Sequence, residues 1–356
     1  MKSIYKYIQK LNPVIIDKFE NRKNDKFNLV LYGAGEKGKS FFNENDLSNI
    51  QVMYYCDDDN NKWGKYLNGV KIISPRELCD VSLDIPVIIT SRCCDEIYER
   101  LSKLGIKHIL HRFALNYLFN VDKLQKVYEL LYDQLSKDVF LGLLKYVFTQ
   151  NPDVFKEITS SEEQYFIDDI FTFNGSECII DGGAYIGDTI KSYLDVCEGK
   201  YEKIYSFEPD NVNYAKLSNM VLKLGDIAKN IETFNLGLYS KSGKVYFSNN
   251  HSSDSCIVES SAYYIDVTSI DDKFKNRKIT MIKLDIEGAE VDAILGAEQV
   301  LKEQKPKLAI CNYHLPSDLW EIILLILDFV PNYKIFMRHH DIRCWYETVI
   351  YAKIQD

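Results

Sequence analysis

Cys178-Ile179-Ile180-Asp181-Gly182-Gly183-Ala184-Tyr185-Ile186-Gly187-Asp188-Thr189 decides the fold of this chain. Three apolar residues read as a buried strand. The glycines let the backbone turn and approach a ligand, and the residues after Gly187 open a helix whose first N–H groups carry partial positive charge. Strand, glycine turn and helix in that order form the nucleotide-binding device of open α/β sheets. The next apolar run ends in Phe207-Glu208-Pro209-Asp210. A βαβ connection of this length sets Glu208 beside the glycine turn, where a carboxylate accepts both hydroxyls of a ribose.

Outward from this unit, strands are expected at 178–181, 204–207, 232–236, 281–284 and 308–312, with a closing pair at 334–337 and 348–352. A hairpin, 244–248 with 263–267, is joined by a polar loop over 249–255. The fourth strand ends Lys283-Leu284-Asp285-Ile286-Glu287-Gly288-Ala289-Glu290, which puts Lys283 and Asp285 on one side at the edge where such sheets bind ligands. His314 follows the fifth strand, and Arg338-His339-His340 reads as a turn or as a donor set for phosphate or sugar hydroxyls.

The same device occurs once more, earlier in the chain. Phe27-Asn28-Leu29-Val30-Leu31-Tyr32 runs into Gly33-Ala34-Gly35-Glu36-Lys37-Gly38, and the strand expected at 52–56 ends in Asp57-Asp58-Asp59. Further strands at 87–90 and 108–110 complete a small parallel sheet. Between the two units, apolar residues at helical spacing over 116–159 predict two helices meeting near Ser136-Lys137-Asp138. The expected organisation is α/β throughout, with two Rossmann-like domains. A helical lead over 1–25 precedes a nucleotide-binding domain at 26–115, a helical connector at 116–162 and a second domain at 163–356.

Composition agrees. The chain has 356 residues, 46% of them hydrophobic and 27% charged, enough for two cores. A formal net charge of -9 argues against sequence-independent nucleic-acid binding, which needs a basic surface. Met1-Lys2-Ser3-Ile4-Tyr5-Lys6-Tyr7 lacks the apolar core of a signal peptide and no stretch suits a membrane span, so cytoplasmic residence is the expectation. Nine cysteines without zinc-type or Cys-x-x-Cys spacing read as reduced thiols; Cys93-Cys94 reads as a strand end before a redox pair. Tyr128, Tyr132, Phe140 and Tyr146 suit a homo-oligomer interface as well as an interdomain contact.

Taken together, Asp181–Thr189, Phe207–Asp210, Val267-Thr268-Ser269-Ile270-Asp271 and Ile282–Glu290 resemble, in order, the motifs of the FkbM family of S-adenosylmethionine-dependent methyltransferases. The resemblance spans about residues 163 to 352. It includes Tyr313-His314-Leu315-Pro316-Ser317-Asp318-Leu319 and Glu347-Thr348-Val349, and is loosest at Ser317 and over 341–346. It implies a class I methyltransferase sheet, S-adenosylmethionine as cofactor, and transfer to an oxygen of a sugar, nucleotide sugar or glycan precursor. The cofactor site it implies comprises Asp181, Gly182, Gly183, Ala184, Ile186, Gly187, Asp188, Thr189, Glu208, Pro209, Asn235, Leu236, Gly237 and Asp285. Asp181, Gly183 and Gly187 would shape the pocket for its amino-acid end, Glu208 would bind the ribose, and the stretch from Asn235 would border the adenine.

Candidates for the catalytic chemistry are Asp285, Glu287, Lys283, His314 and His339. Glu290 reads as a helix N-terminal acid, and Tyr165 as a packing residue or a cap on the pocket. A divalent metal among Asp285, Glu287 and His314 is a minor alternative. The first unit resembles the small nucleotide-binding domain at the N-terminus of bacterial sugar-nucleotide acyltransferases. By that resemblance Gly33, Gly35 and Gly38 approach a pyrophosphate, and Asp57 reads a ribose or base of a nucleoside diphosphate sugar. Two further classes stay open from sequence: a nicotinamide-dependent oxidoreductase using Gly33–Gly38, and a non-catalytic nucleotide-binding protein.

Overall fold

The computed structural model describes residues 3–22, 26–44, 49–81, 84–91, 94–247 and 263–355. By internal contacts the chain divides into two units. The first comprises Met1–Glu129, Phe140–Ile158 and Arg343–Trp345; the second comprises Leu130–Val139, Thr159–Ile342 and Tyr346–Asp356.

In the first unit, β1 (Phe27–Tyr32), β2 (Ile50–Cys56), β3 (Tyr66–Leu67), β4 (Val70–Ile73), β5 (Val87–Ile89) and β6 (Ile109–His111) form one sheet in the order β3-β4-β2-β1-β5-β6. All neighbours are parallel except β3, a two-residue edge strand absent from the sequence expectation, which pairs antiparallel with β4. Val30, Val87, Ile89 and Ile109 face helical Leu78, Ile97 and Leu101 in the core. Ser74 and Glu77 close a reciprocal cap at the start of the helix Pro75–Val81: Glu77 Oε2 accepts from Ser74 N (2.8 Å), and Ser74 Oγ accepts from Glu77 N (3.2 Å).

The second unit is built on β7 (Cys178–Gly182), β8 (Lys203–Phe207), β9 (Ile231–Phe234), β10 (Gly237–Leu238), β11 (Gly243–Tyr246), β12 (Tyr264–Thr268), β13 (Met281–Leu284), β14 (Lys307–Cys311), β15 (Tyr333–His339) and β16 (Thr348–Ile354). Seven of them form a sheet in the order β15-β16-β14-β13-β7-β8-β9, in which only β16 runs antiparallel to its neighbours. β7 is buried along its whole length, as a central parallel strand must be. The order reverses between β7 and β13, so the carboxyl ends of those strands open the crevice where such sheets bind ligands. β10, β12 and β11 make a small second sheet containing the expected hairpin; the loop foreseen over 249–255 lies outside the described residues. The Cys93-Cys94 pair likewise falls outside the described side chains.

Three local expectations are corrected. The strand expected to run to Leu236 stops at Phe234, because the Asn235 side chain donates to the carbonyls of Glu208 (3.0 Å) and Pro209 (3.1 Å) and turns the chain into β10. The helices Val121–Leu130 and Gln134–Thr149 break at Leu131–Asp133 rather than at Ser136: Leu131 bridges Ile335, and Tyr132 N donates to Ile335 O. Ser136 sits inside the second helix, where Asp133 Oδ1 accepts from its N–H (2.8 Å) and its hydroxyl accepts from Met337 N (2.9 Å). Arg338 and His339 are not a turn but the end of β15.

Candidate active site

The strand register builds the centre of the second unit. Asp181 pairs across β7 with Ser206 of β8 and with Lys283 of β13. All three side chains are buried, with Lys283 Nζ 3.2 Å from Asp181 Oδ1 and the Ser206 hydroxyl donating to Asp181 Oδ2 (3.3 Å). Lys283 also donates to the carbonyls of Gly182 (3.2 Å) and Gly183 (2.9 Å). Burial opposes the lysine charge, but Asp181 and Asp285 outweigh it and raise its pKa. Lys283 is therefore a fixed cation that clamps the glycine turn, and a poor proton carrier.

At Gly183, φ is +74° and an added Cβ would lie 1.8 Å from the Asp285 carbonyl oxygen, so only glycine fits. Gly187, φ +93°, begins the helix Asp188–Val196. The turn and the strand ends enclose a cavity of about 310 Å³, a size suited to a small organic ligand. Gly183, Asp188, Thr189, Glu208, Pro209, Leu236, Gly237 and Asp285 of the expected cofactor set line it. Asp181, Gly182, Ala184, Ile186, Gly187 and Asn235 of that set are not among the lining residues. Phe207 and Leu238 supply apolar wall, together with Phe247 and Ile265, which no motif marked.

Glu208 is only 6% exposed. One carboxylate oxygen accepts from Tyr185 N and the other from Asp210 N, both at 2.9 Å. Burial pushes its pKa up to about 7 although both N–H groups favour the ionised form. A carboxylate has about four lone-pair sites and these bonds use two, so the rest are available to a ligand's hydroxyls.

Asp285, at the tip of β13, keeps about a quarter of its side chain open. Tyr165 donates its hydroxyl to one oxygen (3.0 Å) and Tyr313 to the other (3.2 Å), while His314 Nε2 lies 3.4 Å away. Burial opposes ionisation here too, yet Lys283, His314 and Tyr165 win and hold the carboxyl below its usual pKa. His314 is in turn surrounded by acids: Nδ1 is 3.0 Å from Glu290 and Nε2 is 3.8 Å from Glu287. Burial disfavours the imidazolium, but Glu290, Asp285 and Glu287 push its pKa up to about 10, so at neutral pH it is a cation with no site to take a proton. Burial and Glu290 push Asp318 up to about 8, which leaves it protonated there.

Glu290 is fully buried and its oxygens accept from Ile286 N (2.8 Å) and Gly288 N (3.0 Å), tying down the turn ahead of the helix Glu290–Leu295. Asp285, Glu290 and His314 offer ligand atoms within 4.8 Å of one another, a set that takes Glu290 in place of the expected Glu287. With Glu290 committed to two N–H groups and its oxygen facing His314 Nδ1, the donors fit an ion-pair cluster better than a divalent metal.

His339 departs from the expected catalytic set. It is fully buried in β15, its ring nitrogens 2.8 Å from Thr348 Oγ1 and 2.6 Å from the Asp341 carbonyl, and it does not line the cavity. Arg338 is spent on Asp133 (2.7 Å) and Asp169 (2.8 Å), and His340 lies against the Tyr351 hydroxyl with its pKa pushed down by burial to about 4. Sequence reasoning placed Tyr313 and Glu347 in the family-like segments but gave neither a role. Glu347 lines the cavity and accepts from Gln164 Nε2 (2.6 Å) and from the Tyr313 hydroxyl (3.4 Å). One signal of function is geometric: Tyr165, Tyr185, Glu287 and Glu347, all on the cavity wall, hold left-handed backbone at φ +70°, +47°, +55° and +66°. Such strain costs about 1–3 kcal/mol each and gathers at working sites.

In the first unit, Gly33 has φ +113°, and a Cβ on Gly38 would lie 2.0 Å from the Gly33 carbonyl oxygen, whereas Gly35 faces open space. Asp57 accepts from Ala34 N (2.7 Å), Asp59 N (2.9 Å) and Lys62 Nζ (2.9 Å). Despite partial burial, those bonds lower its pKa.

Comparison with known proteins follows the same division. Residues 181–345 match the model of the methyltransferase FkbM domain, and residues 25–109 match a family described as C2185-like, N-terminal. A crystal structure of methyltransferase FkbM from Methylobacillus flagellatus KT is similar at 24% identity, covering 98% of each chain with a TM-score of 0.65, which supports the fold. More distant are an rRNA methylase from Streptococcus thermophilus (13% identity, 51% of this chain and 89% of that one, TM-score 0.34) and a SAM-dependent methyltransferase from Aquifex aeolicus (14%, 58% and 99%, TM-score 0.33). No curated protein matches the sequence. Among the described residues, no helix is long and apolar enough to cross a membrane.

Proposed function

We propose that this chain, whose residues 181–345 match the model of the methyltransferase FkbM domain, methylates a hydroxyl oxygen of a sugar, nucleotide sugar or glycan precursor with S-adenosylmethionine as donor. The observation that carries the reading is Glu208: a buried carboxylate at the tip of β8, beside the glycine turn, with lone pairs left for a ribose diol. When bound, the donor supplies a methyl carbon made electrophilic by a positively charged sulfur.

The chain's own residues hold and orient. Glu208 grips the ribose hydroxyls, Leu236 and Gly237 border the base with Phe247 and Ile265, and the Lys283–Asp181 pair fixes the turn. Asp285, anchored by two tyrosine hydroxyls, accepts a hydrogen bond from the acceptor and aligns its oxygen, and that alignment supplies much of the rate. Glu287 stands on the same wall. S-adenosylhomocysteine is expected to raise the melting temperature, and Glu208→Ala to abolish the rise. An unshifted wild type would reject the donor site.

For the first unit, the same proposal gives Gly33, Gly35 and Gly38 the phosphates of a nucleoside diphosphate sugar, with Asp57 at its ribose or base. The open space around Gly35 supports this. Calorimetry with uridine and thymidine diphosphate sugars tests it: heat from the wild type that Gly35→Val removes is the expected result, and no heat would dismiss it.

A further inference from the structure

Methyl transfer to a hydroxyl releases a proton, and His314, Lys283 and Asp285 are poor at receiving it. His314 is caged as a cation by Glu290, Asp285 and Glu287, and Lys283 is clamped by Asp181. Asp285 already accepts from Tyr165 and Tyr313 and lies against His314, so protonating it would disturb all three contacts.

Glu347 differs in geometry. Both of its side-chain hydrogen bonds, from Gln164 and Tyr313, fall on Oε2. Among the described residues no donor reaches Oε1, and the residue lines the same cavity as Asp285. The Tyr313 hydroxyl, 3.2 Å from Asp285 Oδ1 and 3.4 Å from Glu347 Oε2, links the two carboxylates. Glu347 is held there at φ +66°, a strained placement for a residue with a side chain.

We infer that Glu347 is the catalytic base: its open Oε1 takes the proton of the acceptor hydroxyl that Asp285 aligns. The acceptor O–H bond breaks toward Glu347 and the oxygen forms the new C–O bond. The C–S bond of the sulfonium donor breaks with its electron pair left on sulfur, giving an ether, a neutral thioether and a protonated Glu347. The inference rests on the methyl-transfer reading. Burial and the charge of Asp285 raise the pKa of Glu347 above the ordinary glutamate value, with Asp341 adding to the rise and Gln164 and His314 opposing it. A base so shifted is better matched to neutral pH than Asp285.

The test uses the full-length protein with saturating S-adenosylmethionine and methanol at molar concentration as a probe acceptor, following S-adenosylhomocysteine and dimethyl ether. Saturation keeps the titration of Glu208 out of the turnover number. The wild-type rate should rise with pH through an inflection above the ordinary glutamate range. Glu347→Gln should lose about a hundredfold or more and the inflection with it, while Glu347→Asp recovers part of both. Calorimetry with S-adenosylhomocysteine should show unchanged affinity in Glu347→Gln. Wild-type turnover and pH profile in Glu347→Gln, or no ether from a wild type that binds S-adenosylhomocysteine, would overturn the assignment. Failure of the wild type to bind S-adenosylhomocysteine would instead overturn the donor-site reading beneath it.

Discussion

Replacing Glu208 by glutamine probes the donor site with little change in shape. The carboxylate holds Tyr185 N and Asp210 N at 2.9 Å each, and the donor's two ribose hydroxyls would take its remaining lone pairs. An amide keeps one acceptor oxygen and presents an NH₂ where the other stood. One charge-assisted ribose bond is lost, and the N–H it faced on the protein side loses its partner in the free and bound states alike. Only the ribose bond then enters the binding difference, about 1.5–3 kcal/mol, or about tenfold to 150-fold in Kd. pH supplies a second arm. With the pKa of Glu208 pushed up to about 7 in the free protein, the ionised form that favours the diol dominates above that value and is lost below it. Affinity for S-adenosylhomocysteine should be full above pH 7 and weaken by up to tenfold per unit below it, and the slope should vanish in Glu208→Gln. Isothermal calorimetry from pH 5.5 to 8.5 reads both. Equal Kd values for wild type and Glu208→Gln, or a flat wild-type profile, would refute the assignment of the ribose to this carboxylate.

Other outcomes follow from the same geometry. Gly183→Ala meets the backbone carbonyl of Asp285 and should cost about 3 kcal/mol or more, whereas Gly187→Ala meets side chains alone, the methyl end of Met220 and, at 3.2 Å, Leu217 Cδ1, and should cost about 1–2 kcal/mol for its left-handed backbone; denaturant melts that rank them equally would contradict this. His314→Gln removes the cation from beside buried Glu290 and should destabilise by about 3–5 kcal/mol at pH 6. Because the folded pKa of His314 lies above its ordinary 6.5, the stability it contributes is fully present below pH 6.5 and lost as pH rises through about 10. Urea melts of wild type and His314→Gln should therefore converge toward pH 10.5; a constant gap would mean the ring acts through packing.

The sheet of the second unit was legible because its strands are short, almost wholly apolar runs ending in residues of special chemistry. Asp181, Glu208 and Asp285 could be placed at strand tips by counting along βαβ units, and they stand at or next to the ends of β7, β8 and β13. Side-chain partners joined across long stretches of chain were not legible. Tyr165 reaches Asp285 across 120 residues, Tyr313 across 28, and Gln164 reaches Glu347 across 183. No periodicity encodes such meetings. The charge state of His314 was hidden for a related reason: it depends on how the turn over 285–290 folds around the ring. Arg338 and His339 misled because a run of polar residues reads as a turn, whereas Asp133, Asp169 and Thr348 satisfy them inside a strand. Asn235 faces the backbone of its neighbours, which a strand-end position alone does not reveal.

The most direct test of the central claim is a crystal structure of the S-adenosylhomocysteine complex. Adenosine lying over Gly183–Gly187 with its ribose hydroxyls on Glu208 is the predicted result. Adenosine at Gly33–Gly38, or a ribose that leaves Glu208 untouched, would contradict it.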